Sequence, residues 1–173
     1  MTESAHRRTV VINAPVEKVW ATLADLGDVS SWIPTVKTSE VTSPQADGVT
    51  STRVCTLSPM GTISEEVAAW EPNKRLVIDI VDFKAMPMMR SSRAEFLLEV
   101  ISDSQTRVTI SMGYVVGMGI VGATMDKVML TGQMQTGLEG MAAGLKKYVE
   151  TGEPSNTAKS DLPREAVSIP QGR

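Results

Sequence analysis

The sequence predicts an α+β fold in which a curved antiparallel sheet of about seven strands wraps one long C-terminal helix. Three observations carry this. An apolar track with steps of three and four runs through residues 119–149. Residues 35–116 form a succession of strand-like runs joined by short, turn-rich connections. The remaining helical pattern, two short segments between residues 15 and 32, follows a first strand.

The helix track consists of Val121, Met125, Val128, Gly132, Gln135, Leu138, Ala142, Leu145 and Val149. Side chains at this spacing share one face of a helix about eight turns long. Asp126, Lys127, Glu139, Lys146 and Lys147 lie off the track, which leaves a solvated side. Gly122, Gly132, Gly137, Gly140 and Gly144 also fall in this span. Each costs roughly 1 kcal/mol relative to alanine. They mark close backbone approach, open space beside the helix, or weak formers that packing tolerates.

In chain order, residues 8–13 read as a strand with Val10 and Ile12 on one face. Pro15 suits a first helical position, Glu17 complements the helix dipole, and Val16, Val19, Trp20 and Leu23 make the apolar side. Gly27 ends this helix, Asp28 caps a short second one through Trp32, and Pro34 blocks its continuation. Strands follow at 35–42, 49–57, 62–70, 75–83, 88–101 and 107–116. Short connections between consecutive strands imply antiparallel pairing. Residues 151–173 are rich in Pro, Ser, Asn and charge without apolar period, so they are expected to form a disordered tail behind a single domain at 6–150.

With 173 residues, 42% hydrophobic and 21% charged, the chain has material for one real core. Net charge is −3, and apart from Arg7-Arg8 and Lys146-Lys147 the cations are scattered, which argues against nucleic acid as a partner. The most apolar run, residues 114–125, is broken by glycine and shorter than the roughly 20 residues needed to span a bilayer. Residues 1–6 lack the apolar centre of a signal peptide, so a cytoplasmic location is expected. The single cysteine, Cys55, excludes an internal disulfide. No zinc spacing, phosphate loop or dinucleotide fingerprint occurs, so neither a metal nor a cofactor is expected.

Ile12-Asn-Ala-Pro15 with Val19-Trp20, then Trp32-Ile33-Pro34, carry a resemblance to a known family. So do Gly61, Ile63, Glu65, Val67, Trp70-Glu71-Pro72, Thr106-Arg107-Val108-Thr109 and Leu145-Lys146. Over roughly residues 6–150 the chain resembles the START/Bet v 1-like (SRPBCC) helix-grip superfamily, and within it the bacterial polyketide cyclase/dehydrase and lipid-transport group. The resemblance implies a deep cavity between sheet and long helix for an apolar or amphipathic small molecule. Arg53, Gly61 and Glu65 also resemble positions of its plant hormone-receptor branch, where the equivalent glutamate faces the pocket. The rest of that receptor's gate sequence is absent, so hormone sensing does not carry over.

Such a cavity would be lined by Trp20 and Trp32 from the short helices, by Ile63, Glu65, Val67 and Ile78, by Arg90 and Phe96, by Met112 and Tyr114, and by Met125, Met129 and Gly132 from the long helix. Glu65 shares parity with Ile63 and Val67 and faces inward unless a bulge intervenes. A carboxylate there is costly unless a cation such as Arg90 or Arg53 pairs with it. Arg90 shares parity with Ser92, Ala94 and Phe96, making it the natural inward cation, although it stands near its strand's start. Tyr114, in phase with Ile110 and Met112, would set a hydroxyl at the cavity mouth or simply pack. The many methionines of the second half suit an adaptable pocket, and equally an ordinary core. His6, the single histidine, lies near the N-terminus with no nucleophile nearby, so a catalytic triad is not expected.

The function these features favour is binding or transport of a lipid-like or polyketide-like molecule. The rival is a polyketide aromatase/cyclase or dehydratase, with Glu65 moving protons while Arg90 or Tyr114 steadies an enolate. A partner-binding module using the sheet edge ranks third. Ligand identity, turnover and oligomeric state are open at this level.

Overall fold

Alternating apolar residues and tight turns make seven strands that pair in the order β1-β7-β6-β5-β4-β3-β2, every pair antiparallel. The structure, a computed structural model, describes residues 3–82, 89–116 and 123–155, and their side chains except at 3–5, 116 and 123–131. The strands are β1 (Glu3–Ile12), β2 (Val36–Val41), β3 (Thr52–Leu57), β4 (Gly61–Glu71), β5 (Arg75–Asp82), β6 (Met89–Ser102) and β7 (Gln105–Val116). Two α-helices accompany them, α1 (Val16–Ala24) and α2 (Ala123–Thr151), with a 3₁₀ turn at Val29–Ser31. Residues 119–122, expected to begin the long helix, lie outside the described residues.

β2 to β7 form an uninterrupted meander, and β1 adds beside β7, with Val10 opposite Val108. The link from β1 to β2 therefore crosses from one sheet edge to the other, and α1 with the 3₁₀ turn makes that crossing. Register irregularities at Val36/Thr38, Ser64/Glu65, Val67/Ala69, Met89/Ser91 and Val100/Ser102 curve the sheet. One apolar core fills its concave face. Val10, Ile12, Ile63, Val67, Leu76, Ile78, Phe96, Val108 and Ile110 meet Val19 and Leu23 of α1, Trp32, and Leu138, Met141, Ala142, Leu145 and Val149 of α2.

The C-terminal half of α2 is fastened as well as packed. Lys146 Nζ donates to the Val11 carbonyl at 2.7 Å and to Glu150 Oε1 at 2.6 Å, and the Asn13 N–H donates to the same Glu150 oxygen at 2.6 Å. Burial pushes the Glu150 carboxyl up, but the Lys146 and Asn13 hydrogen bonds and the lysine charge outweigh it and hold Glu150 below its ordinary value. Tyr148 donates to Asp28 Oδ2 at 2.7 Å, and Ser31 donates to the other oxygen of that carboxylate. Gly144 is required where the helix meets the Trp32 carbonyl, because a Cβ there would lie 2.0 Å from that oxygen.

Several boundaries differ from expectation. β1 begins at Glu3, because β7 offers backbone partners out to Val115 whatever the side chains. Pro15 precedes α1 as its cap instead of opening it. The helix stops at Ala24, where Asp25 Oδ1 accepts the N–H groups of Gly27 and Asp28, both at 3.2 Å. β3 starts at Thr52. Residues 151–155, expected in the tail, are part of the fold: Ser155 is buried and its N–H donates to the Ser31 carbonyl at 2.9 Å. Residues 156–173 lie outside the described residues. Among the described residues no helix is long and apolar enough to cross a membrane.

Candidate functional site

The concave face is apolar at its centre and polar toward both sides. On the β3–β4 side, Glu65 faces inward with Ile63 and Val67. The irregularity beside it falls on β5, where Val81 is the extra residue, so β4 keeps its phase through Glu65. Arg53, directly opposite on β3, is 5% exposed and donates from Nε to Glu65 Oε2 at 2.6 Å. The Glu65 side chain is 13% exposed. Cys55 shares this inner face of β3, its Sγ 3.4 Å from Glu65 Oε2 and 3.5 Å from Ser39 Oγ. Burial pushes the Cys55 thiol up to about 11, with the Glu65 charge adding to the effect. Leu26, Ser51, Arg53, Glu65 and Ile78 surround a shallow recess with no room for a water-sized body. Arg53 Nη1 and the fully buried Ser51 hydroxyl have no hydrogen-bond partner.

On the β6–β7–β1 side the sequence expectation needs correction. Arg90, placed inward by parity with Ser92, is exposed. Met89 pairs with Val116 and Ser91 with Val115, so Arg90 is the extra residue of a bulge, and the buried Met89 takes the inward position at the strand's start. Ser92, Ala94 and Phe96 continue inward from there. Tyr114, 3% exposed, lies opposite Ser92, also 3% exposed, and stacks on the His6 ring with centroids 5.9 Å apart. Met112 sits half-buried between His6 and Ala94 in the ladder. Tyr114 Oη, Ser92 Oγ and His6 Nε2 are buried atoms without a hydrogen-bond partner.

Between these two polar regions the wall is apolar. Trp32 meets Phe96 edge-on at 6.0 Å, with Ile63, Val67 and Ile78 in the same continuous core. Trp20 stands further out, half-buried and edge-on to Trp70 at 5.2 Å. The roof is α2, fully buried toward the sheet at Leu138 and Leu145; one turn before Leu138 Met134 is only half-buried, and Gln135 and Gly132 are exposed. A Cβ at Gly132 would meet nothing within 4 Å. The helix thus seals the core over its C-terminal half, and its cover thins at Met134, in phase with Leu138 one turn earlier. The side chains of Met125 and Met129 lie outside the described residues.

The structure brings Ile63, Glu65, Val67, Ile78, Phe96, Trp32, Met112 and Tyr114 to one face, and leaves Arg90, which parity places inward, off it. Sequence reasoning names Arg53 as one of two possible partners of Glu65, puts Ser92 in the inward phase without giving it a role, and misses His6 as an inward polar group. Inward parity was the available signal for Ser92 and Arg53. His6 lies in a polar stretch without alternation, and only its pairing with Met112 brings it inside. Ser92 and His6 are separated by β7, so no serine–histidine nucleophile forms. Among the described residues no cluster of His, Cys, Asp and Glu could hold a metal ion. This arrangement is suited to enclosing an apolar body and meeting polar atoms at its margins.

Solved structures share this architecture. The Zhui aromatase/cyclase from Streptomyces sp. R1128 aligns with a TM-score of 0.69 at 15% identity, over 87% of this chain and 98% of that one. A protein from Thermus thermophilus aligns with a TM-score of 0.69 at 21% identity, over 84% and 97%. A START superfamily protein from Mycobacterium smegmatis aligns with a TM-score of 0.67 at 16% identity, over 84% and 97%. At these identities the likeness establishes the START/Bet v 1-like helix-grip fold. A comparison with curated proteins finds no match. The family profile described as polyketide cyclase / dehydrase and lipid transport matches residues 5–150. With the fold and nearly all of the described chain in agreement, the protein belongs to the polyketide cyclase / dehydrase and lipid transport family.

Proposed function

We propose that the protein binds and carries a hydrophobic small molecule, lipid-like or polyketide-like, between the concave face of the sheet and α2. The observation that carries this reading is the change along the helix track. Leu138, Ala142, Leu145 and Val149 are buried on the sheet, whereas Met134, in phase with Leu138 one turn earlier, is only half-buried and Gln135 at the edge of that face is exposed. An amphipathic helix normally covers the sheet along its whole apolar stripe. Here the cover loosens from fully buried aliphatic residues to a half-buried Met134 flanked by Gln135, over a face that offers aromatic and aliphatic walls. Membership in a family whose description includes lipid transport supports the same reading.

The cyclase reading draws on the same family description and on the fold shared with an aromatase/cyclase. The residues expected to move protons favour binding over turnover. Glu65 is occupied by Arg53 and Cys55, and Arg90 stands on the outside. Native mass spectrometry tests the proposal. Protein purified without detergent and incubated with a lipid and polyketide extract is expected to retain an apolar compound at one-to-one stoichiometry. A bare chain after both treatments contradicts it. Release of a chemically altered compound would turn the assignment to the cyclase.

A further inference from the structure

We propose that Tyr114, Ser92 and His6 form the polar anchor of this cleft and select a ligand with an uncharged oxygen, a phenol, alcohol or ketone, at one end of an apolar body. This rests on the carrier reading and names the chemistry that the carrier recognises.

The three residues stand on three neighbouring strands, β6, β7 and β1, about 4.8 Å apart. Tyr114 is opposite Ser92 in the ladder and stacked on His6. Each presents a buried polar atom with no partner: a phenol, a hydroxyl and an imidazole nitrogen. Such groups are normally satisfied, and leaving one buried without a hydrogen bond is costly. Three on adjacent inward positions form a built constellation. A ligand oxygen at Tyr114 would satisfy the phenol together with one neighbour, Ser92 or His6, because both hydroxyls donate or accept and the imidazole nitrogen does one or the other by tautomer.

Their position under the helix fits this role. Glu139 of α2 meets Arg8 of β1, and Lys146 meets Val11, so helix and strand numbers fall together in the same direction. Gln135, four residues before Glu139, lies about 6 Å further along the helix axis. His6, two residues before Arg8, lies about 6.6 Å further along the strand. The exposed part of the helix track therefore stands at the level of the unpartnered trio. Ala94 and Phe96 follow Ser92 along the inner face of β6 and lead to Trp32, a surface for the apolar body.

The charge balance points to a neutral oxygen rather than a carboxylate. Arg8, which shares the phase of His6 on β1, is neutralised by Glu139 at 2.7 Å, even though its Nε is also without a partner. Tyrosine, serine and neutral histidine offer hydrogen bonds without a compensating positive charge, and a buried carboxylate without one is disfavoured.

The test measures binding of naphthalene, 1-naphthol and 1-naphthoate to the full chain and to Tyr114→Phe and Ser92→Ala. Wild type is expected to prefer 1-naphthol to naphthalene by about tenfold, the return on meeting buried unsatisfied groups. Each variant is expected to lose roughly three- to tenfold in 1-naphthol affinity while binding naphthalene unchanged, which also shows that it is folded. In the free state Tyr114→Phe is expected to melt at or above the wild-type temperature, because it removes an unsatisfied buried hydroxyl. Equal affinity for 1-naphthol and naphthalene overturns the anchor and leaves the carrier intact. Tightest binding of 1-naphthoate, or 1-naphthol binding that neither variant alters, overturns it in the same way. Failure of all three probes to bind wild type removes the carrier reading and the anchor with it.

Discussion

Arg53 Nε stands 2.6 Å from Glu65 Oε2 across the β3–β4 ladder, with both side chains turned into the concave face. Taking one partner from a buried ion pair leaves the other charge uncompensated, at a cost of about 3 kcal/mol or more. Glu65→Gln is therefore expected to lower stability by about 3 kcal/mol, read from denaturant midpoints. Glu66→Gln, at the neighbouring position of opposite parity, is expected to stay within about 0.5 kcal/mol of wild type. Replacing both members with Arg53→Met and Glu65→Leu should restore much of the loss, because an apolar pair of similar volume carries no desolvation penalty. A Glu65→Gln protein as stable as wild type would mean that the pair adds nothing.

The glycines of α2 separate into two kinds. A methyl group at Gly144 would fall 2.0 Å from the Trp32 carbonyl oxygen, backbone against backbone, so Gly144→Ala must push the helix off the Val29–Ser31 turn. We expect a loss above about 3 kcal/mol, in the range of severe packing defects. At Gly137 a Cβ meets nothing within 4 Å. Gly137→Ala should accordingly gain up to about 0.8 kcal/mol from helix propensity. Thermal melts of the two variants check both signs.

Cys55 is expected to be unreactive in the native protein. Burial, followed by the Glu65 charge, raises its thiol from 9.0 to about 11, and the thiolate is the reactive form. A disulfide reagent at about pH 8 should label the unfolded chain and spare the folded one. The same shift sets a pH dependence. The unfolded chain gives up this proton first, so stability is fully present below 9.0 and falls as pH rises toward about 11. Midpoints of wild type and Cys55→Ala across that window should converge as the pH rises.

Glu150 works at the other extreme of pH. Despite burial, the Lys146 and Asn13 hydrogen bonds hold its carboxyl below its ordinary value of 4.5. The resulting stabilisation is present above 4.5 and disappears as acid protonates the folded carboxylate. Glu150→Gln should cost about 1 kcal/mol at neutral pH, and the difference from wild type should shrink below pH 4.5.

The architecture was readable from the sequence because periodicity determines it. The three- and four-residue steps of α2, the alternation of β4 and β7, and the short turns of the meander each bury one face and expose the other. What escaped reading was irregular or non-local. Arg90 was misplaced because a bulge inserts one residue and inverts the phase, and no side chain announces it. The start of β1 was missed because backbone pairing with β7 fixes it, not the polar residues around His6. Ser155 looked like tail sequence, and its burial depends on the small Gly144 lying beneath it in space. Among the site residues, inward parity found Glu65 and Tyr114. Of the two cations offered for Glu65, the folded register selects Arg53, and it alone brings His6 beside Tyr114.

The central claim is that an apolar ligand enters between the concave face and α2. The most direct measurement is an NMR titration with 1-naphthol that follows backbone amides and the three tryptophan indole N–H signals. The Trp32 indole N–H is buried without a partner beside Phe96, so it reports on the interior. Binding in the cleft predicts saturable shifts at Trp32, at Ser92 and Tyr114, and along helix residues 132–138, with little change at outward positions such as Arg93 and Arg107. Shifts confined to those outward positions, or no saturable shifts at all, would contradict the account.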